Sequence, residues 1–277
     1  MSDLRFSEIT APNGVTYMAA DHIPVVHGFT TRLGGVSSGV YESLNLGEGR
    51  GDDRDKVREN YRLLSEALGI TGDYVFPHQV NGDRVIPVTS RDRHVLFDPL
   101  PFEADGLMTD EPDLPLSIFT ADCIPILLCD PVRGAVAAVH AGWRGTAADI
   151  AGKAVKAMAE AYGCSPDNIR AAIGPGIGKC CFETGPEVPE AMLAMSSDLA
   201  DAIVPGKAPE KYMVDLKEIN RRRLLSAEVR DENIAVSPDC TMCLHERYWS
   251  HRYTRGVRGS QASTITLKGD INRASVC

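Results

Sequence analysis

Residues 119–150 read FTADCIPILLCDPVRGAVAAVHAGWRGTAADI. Two short apolar runs, 124–129 and 134–139, flank Asp-Pro-Val-Arg. Pro131 presets the backbone torsion wanted at the second position of a tight turn, so the spacing predicts an antiparallel hairpin. With the turn centred between Pro131 and Val132, Cys123 falls opposite His140, their Cβ atoms about 4.5–5.5 Å apart. A bulge near Pro125, which has no N–H to give to a ladder, would break that register. Beyond the hairpin a helix is predicted from about Thr146 to Tyr162. Ile150, Ala154, Met158 and Tyr162 share one face, and Gly163 stops it.

On the amino-terminal side, residues 14–30 read as short strands and 31–49 as a Gly/Ser-rich loop. Residues 53–68 carry Val57, Tyr61, Leu64 and Leu68 at helical spacing. Short strands are expected near 73–76, 84–89 and 116–120. On the carboxyl side, IRAAIG leads into a Gly-rich turn, GPGIGKCCFETG. Residues 186–229 read as mostly helical, with YMVDL and STITLKG as strand candidates. Strands and helices mix without strict alternation. The expected fold class is therefore α+β, a single layered domain over 1–277 with mixed sheets packed against helices.

The chain has 277 residues, is 43% apolar and carries a formal charge of −9. That charge argues against a broad grip on nucleic acid but leaves room for a local basic pocket. MSDLRFSEIT is too polar for a secretory signal, and no apolar run approaches the roughly 20 residues of a membrane helix. A soluble, cytoplasmic protein without a membrane partner is expected. Its eight cysteines are then reduced thiols or metal ligands, not disulfides.

A cysteine beside an apolar run is a core filler by default. Three features set Cys123 apart: Asp122 precedes it, His140 is its cross-strand partner, and the segment after His140 is rich in Gly and Arg. A Cys–His pair fits a nucleophile with its base, and equally two ligands of one metal. His78, at the end of a strand and before an Asn-Gly turn, is the third ligand that would favour metal. Cys plus two His leaves one position of tetrahedral zinc open for chemistry. In HAGWRGT, Gly142 and Gly145 let backbone approach an anion, free N–H groups open a helix, and Arg144 can grip phosphate in a forked pair. TRLGGVSSG, with Arg32, Gly34 and Gly35, offers a second cradle. Glu183 and Asp105 are candidate acids or bases. A rival metal site is Cys240-x-x-Cys243 with His245, which lacks a fourth ligand unless the fold brings Cys180 or Cys181 near. Cys129, Cys164 and Cys277 read as filler or surface thiols.

Taken together, GFTTRLGGVSSGVYESLNLG, PHQVNGDRV, ADGLMTD, TADCIPILLCDPVRGAVAAVHAGWRGT, AIGPGIGKCCFETGPEV and the late CTMC…RYWSHR…GSQAS resemble the YfiH-like, laccase-domain family over nearly the whole chain. The resemblance implies a layered α+β fold similar to the catalytic domain of cytotoxic necrotizing factor. It implies purine nucleoside phosphorylase activity on adenosine, inosine and methylthioadenosine, with adenosine deaminase activity besides. It also implies zinc on His78, Cys123 and His140. The family carries two further labels, copper-dependent polyphenol oxidase and peptidoglycan editing factor. Copper oxidases use many imidazoles, usually as His-X-His pairs; seven His with no such pair make copper a poor expectation here. The H-x-E with P-C-x-x-C signature of zinc deaminases is absent too, so deamination would need another layout.

On this reading a zinc centre orients a hydroxyl or water, and Arg32 and Arg144 hold phosphate. Asn45 and Glu183 contact sugar or base, and the partners are a nucleoside and phosphate. The rivals are a cysteine or zinc hydrolase of peptidoglycan precursors and a non-catalytic zinc protein that binds a metabolite. Where relatives carry Ser-Tyr-Arg-Arg, this chain has Ser250-His251-Arg252-Tyr253, which points to His251 as a residue that can face the cleft.

Overall fold

The structure is a computed structural model; it describes residues 4–98 and 100–269. Cys277 lies outside the described residues. In chain order the strands are β1 (Phe6–Thr10), β2 (Thr16–Ala20), β3 (Val26–Thr30), β4 (Val85–Pro87), β5 (Gly106–Thr109), β6 (Leu116–Thr120), β7 (Ile124–Asp130), β8 (Ala135–Ala141), β9 (Arg170–Ile173), β10 (Glu183–Thr184), β11 (Ile203–Pro205), β12 (Tyr212–Val214), β13 (Ile234–Val236) and β14 (Gln261–Thr266). The helices are α1 (Arg54–Leu68), α2 (Trp143–Ala147), α3 (Ile150–Tyr162), α4 (Glu187–Met195), α5 (Leu216–Ser226) and α6 (His251–Thr254).

The hairpin forms the middle of a six-stranded mixed sheet, ordered β13-β9-β7-β8-β5-β4. Its two strands are buried along their whole length, which explains why both read as continuous apolar runs. Alternate residues feed two cores. Ile126, Leu128, Ala135, Ala137 and Val139 pack with Ile150, Ala154 and Met158 of α3 and with residues of α4 and α5. Leu127, Cys129, Val136 and Ala138 face Phe29, Leu116, Ile118 and Ile265. Those four belong to an antiparallel five-stranded sheet, β1-β2-β3-β14-β6. The far side of that sheet is covered by α1 through Val57, Tyr61, Leu64 and Leu68. The layers thus run helix, sheet, sheet, helices, the expected α+β class. A small sheet, β10-β12-β11, lies beside α4.

Three local readings are corrected. The ladder pairs Pro125 with His140 and Ile124 with Ala141, so the register differs by two residues from a turn centred on Pro131-Val132. Asp130 causes the shift. Its carboxylate accepts from the N–H groups of Val132 (2.9 Å) and Arg133 (3.0 Å). The reversal therefore spans Pro131–Gly134, with Gly134 at φ +65, as in hairpins with four-residue loops. The predicted helix from Thr146 is two helices, α2 and α3, broken where Asp149 turns left-handed at φ 59. Its carboxylate then caps α3 by accepting from Gly152 N–H. The span 186–229 holds α4 and α5 and also β11, which the residue pattern does not predict; β12 falls on the expected YMVDL strand.

Candidate active site

The two-residue shift keeps His140 and Cys123 on one side of the sheet, because side chains alternate with period two. Cys123 sits just before β7 and His140 near the end of β8, and the two flank Gly142. A Cβ on Gly142 would lie 3.4 Å from Cys123 Sγ, 3.6 Å from His140 Cε1 and only 2.7 Å from Asn81 Oδ1. A side chain there would crowd the centre and push Asn81 aside.

Asp105 organises the centre. It is fully buried and accepts from His140 Nδ1–H at 2.7 Å. It also accepts from the backbone N–H groups of Val80 (3.2 Å), Asn81 (3.1 Å) and Gly82 (2.7 Å). Burial alone would raise its pKa, but these donors outweigh burial and hold it below the usual carboxylate range. His140 is buried as well, which disfavours its charge, yet the charge of Cys123 and the Asp105 bond push it up to about 9. A cation bound to His140 would have to displace the proton that this environment holds on the ring.

Asp122, next to Cys123, has φ 91, a costly torsion for a residue with a Cβ. Three contacts hold it: Thr241 Oγ1–H donates to Oδ1 (2.7 Å), Arg252 N–H donates to Oδ2 (2.6 Å), and Ile177 N–H donates to its carbonyl (2.7 Å). Strain of this kind belongs to the surroundings of a working residue.

Asp122, Cys123 and His140 line a cavity of about 430 Å³, with Asp105 buried behind them. Arg50, Arg144, Arg252 and Arg258 also line it, as do the aromatic side chains of Phe119, Trp143 and Phe182. A chain of net charge −9 thus places four guanidiniums around one opening. Arg258 shows the consequence: burial, then repulsion from Arg50, lowers its pKa to about 10. Its Nε is buried with no partner among the described residues. His251 faces the same cavity, and burial followed by the neighbouring Arg258 charge lowers its pKa.

The sequence candidates divide accordingly. Cys123, His140 and Arg144 come together, whereas four others are occupied elsewhere. Arg32 donates to the carbonyls of Glu42 and His245 and stacks 4.0 Å over the Trp249 ring, so it locks a loop. Asn45 is buried. It donates to Asp52 and accepts from Gly47 N–H and Ser260 N–H, which makes it a brace behind the cavity wall. Glu183 accepts from Lys207 N–H at 2.8 Å. The His78 side chain is 61% exposed with Nδ1 4.0 Å from Glu103, and it lies outside the cavity lining that holds Cys123 and His140. Of the rival set, His245 stacks on Tyr253 at 3.5 Å, but Cys180, Cys181, Cys240 and Cys243 gather into a group that could hold a metal ion. Sequence reading passed over Arg50 and Arg258. Both precede glycine, as Arg144 does, but so do Arg133 and Arg255, so that signal does not discriminate.

A strained Asp-Cys at a sheet end, faced by a buried His–Asp pair inside an arginine-ringed cavity, defines a class that comparison with known proteins identifies. The family described as "Multi-copper polyphenol oxidoreductase laccase" matches residues 26–268, and the chain belongs to it. A relative from Geobacillus stearothermophilus named "Purine nucleoside phosphorylase YlmD" is 38% identical over 245 residues, 87% of this chain and 89% of its own length. A protein from an unknown prokaryotic organism named "Adenosine deaminase RL5" is 36% identical over 238 residues, 84% of this chain and 90% of its own. The crystal structure of Bacillus licheniformis hypothetical protein YfiH superposes with a TM-score of 0.85 at 34% identity, covering 97% of this chain and all of that one (100%). Among the described residues, no helix is long and apolar enough to cross a membrane.

Proposed function

We propose that the chain is a purine nucleoside phosphorylase acting on adenosine, inosine and methylthioadenosine, with adenosine deamination as a side activity. The observation that carries this reading is the ring of Arg50, Arg144, Arg252 and Arg258 around the Cys123–His140–Asp105 centre. Phosphorolysis needs a dianion held next to the sugar, and forked guanidiniums supply that. Phe119, Trp143 and Phe182 offer faces on which a purine can lie. The names of the relatives support the same reaction.

The donor chemistry fits zinc. A buried imidazole that donates Nδ1–H to a carboxylate presents its other nitrogen as a ligand, and Cys123 adds a thiolate. Cys123 and His140 would hold the ion, and His78 would join them only in a rotamer turned away from Glu103. Bound there, zinc would supply Lewis acidity toward a substrate oxygen or water. The chain's own residues do the rest. The arginines hold phosphate, Asp105 fixes the His140 ring, and the aromatic walls exclude water from the base.

One observation favours a second reading, a cysteine hydrolase acting on peptidoglycan precursors. Cys123, His140 and Asp105 stand in the order nucleophile, base, orienting carboxylate. Steady-state kinetics on the three nucleosides, with phosphate varied, separate the two. Arg144→Ala and Arg258→Ala should each weaken phosphate use about tenfold to a hundredfold, the worth of one charge-assisted hydrogen bond. Arg144→Lys should recover part of the loss, since charge returns without the fork. Turnover indifferent to phosphate in the wild type and both alanine variants would favour the hydrolase.

A further inference from the structure

Outside the cavity, two turns far apart in sequence bring four thiols together. Cys180 and Cys181 lie in the turn after Gly178, where Cys181 N–H and Phe182 N–H both donate to the Gly178 carbonyl (2.9 and 3.0 Å). Cys240 and Cys243 lie in a second turn, closed by Leu244 N–H donating to the Cys240 carbonyl at 2.9 Å. Cys243 Sγ is 3.6 Å from Cys180 Sγ and 3.4 Å from Cys181 Sγ. All four sulfurs lie within 4.8 Å of one another. A regular tetrahedron with zinc–sulfur bonds of about 2.3 Å has edges of about 3.8 Å, close to both separations.

Three further observations fit a metal centre. Gly178 N–H donates to Cys240 Sγ at 3.2 Å, a backbone bond of the kind that stabilises a ligating thiolate. Gly178 lies close against the cluster: a Cβ there would sit 3.2 Å from Cys180 Sγ and 3.2 Å from Cys240 Cβ, tight contacts for any side chain. Lys217 is buried, 6% exposed, and its ammonium donates to the carbonyls of Ser237 (2.9 Å) and Asp239 (2.6 Å) just ahead of Cys240. A fixed cation on that strand end offsets part of the double negative charge of a zinc tetrathiolate.

We infer that Cys180, Cys181, Cys240 and Cys243 form a structural zinc site, separate from the Cys123 centre. On binding, zinc displaces the thiol protons and forms four bonds to sulfur; with no open position, the site does no chemistry on substrate. Its role is to tie residues 176–183 to residues 237–243. Gly176 already pairs with Cys240, and Thr241 donates to Asp122 beside Cys123. The clamp therefore sets the spacing of two cavity walls, Ile177 with Phe182 and His251 with Arg252.

The test uses full-length protein purified under reducing conditions with zinc in the medium. In Cys123→Ala, which removes the thiolate of the cavity, zinc-edge X-ray absorption should show four sulfur neighbours at about 2.3 Å. Adding Cys243→Ser or, separately, Cys180→Ser should lower elemental zinc by about one ion per chain, the stoichiometry of one tetrathiolate site. The absorption measurement needs no cluster variant, so it decides the matter even if the serine variants fail to fold. A zinc shell of nitrogen and oxygen in Cys123→Ala, zinc-free Cys123→Ala protein, or a disulfide among the four cysteines by mass spectrometry would overturn the assignment. Because the readout is zinc, it is independent of whether the cavity proves to be a phosphorylase.

Discussion

The cavity at Cys123 and the cluster at Cys240 both present thiolate chemistry, but they are built in opposite ways. Cys123 stands at the end of a strand buried on both faces, beside a backbone held at φ 91, with a histidine and a carboxylate behind it. The four clustered cysteines stand on turns, and Cys180 and Cys243 are exposed. One centre is mixed in donor type and open to a cavity; the other is uniform in donor type, four thiols that could close around one ion. An open mixed set suits reaction and a closed set of four thiols suits structure. The cysteines of a single chain can therefore be sorted by what surrounds them.

The sharpest way to break this contrast is to remove one thiol from each centre. Cys123→Ala should cut nucleoside turnover by about a thousandfold or more, as expected when a reacting group acts as one unit with its partners. Cys180→Ser should lower the melting temperature and, by loosening the cavity walls, cut turnover far less than Cys123→Ala does. Equal losses of turnover in both variants, measured on folded protein, would erase the distinction.

Asp105→Asn comes next and separates the two readings of the cavity. If His140 is a metal ligand, loss of its carboxylate partner should cost about 10–100-fold in metal affinity or activity. If His140 is the base of a cysteine nucleophile, the cost should approach about 10⁴, as for the corresponding change in a serine-protease triad. Turnover and zinc content of the same preparation give the answer.

Gly142→Ala should have a smaller effect. Its φ of −66 suits alanine, but the new Cβ meets Asn81 Oδ1 at 2.7 Å. Overpacking of this kind costs about 1–3 kcal/mol, measurable by urea unfolding, and activity should fall because Cys123 and His140 are the adjoining neighbours.

The smallest expected effect lies far from both centres. His27 accepts from Ala20 N–H at 2.9 Å through Nε2, while Nδ1–H donates to Val25 O at 2.8 Å. Burial lowers its pKa below the ordinary value of 6.5. Below about pH 6.5 the unfolded chain binds a proton that folded His27 refuses. This contribution to stability is complete above that pH and is lost as pH falls toward the lowered value. His27→Gln should flatten that part of the stability curve, read from urea midpoints across pH 5–7.

Much of this was legible in the sequence because period and turn chemistry report local events. The hairpin, α1, the apolar strands of the hairpin and the presence of Cys123 and His140 on one side of it follow from spacing. The register did not, since the Asp130 carboxylate lengthens the turn and the residue pattern alone does not count that bond. Asp149 is similar: it breaks a helix whose apolar face continues across the break. Arg50 and Arg258 became visible only once β14 was placed beside β6 and β3, which carries a late loop to the cavity. The four-thiol cluster needed the same long-range information, as its halves lie about sixty residues apart. Arg32 and Asn45 show the converse, polar residues in a Gly-rich loop whose hydrogen bonds are consumed in holding that loop.

Product identity tests the central claim most directly. Adenosine and inosine incubated with wild-type protein and inorganic phosphate, followed by ³¹P NMR, should give ribose 1-phosphate in step with free purine base. Cys123→Ala should give neither product, and phosphate-free buffer should stop the wild type. Free ribose formed at the same rate with or without phosphate, or intact nucleoside after exhaustive incubation, would contradict the account.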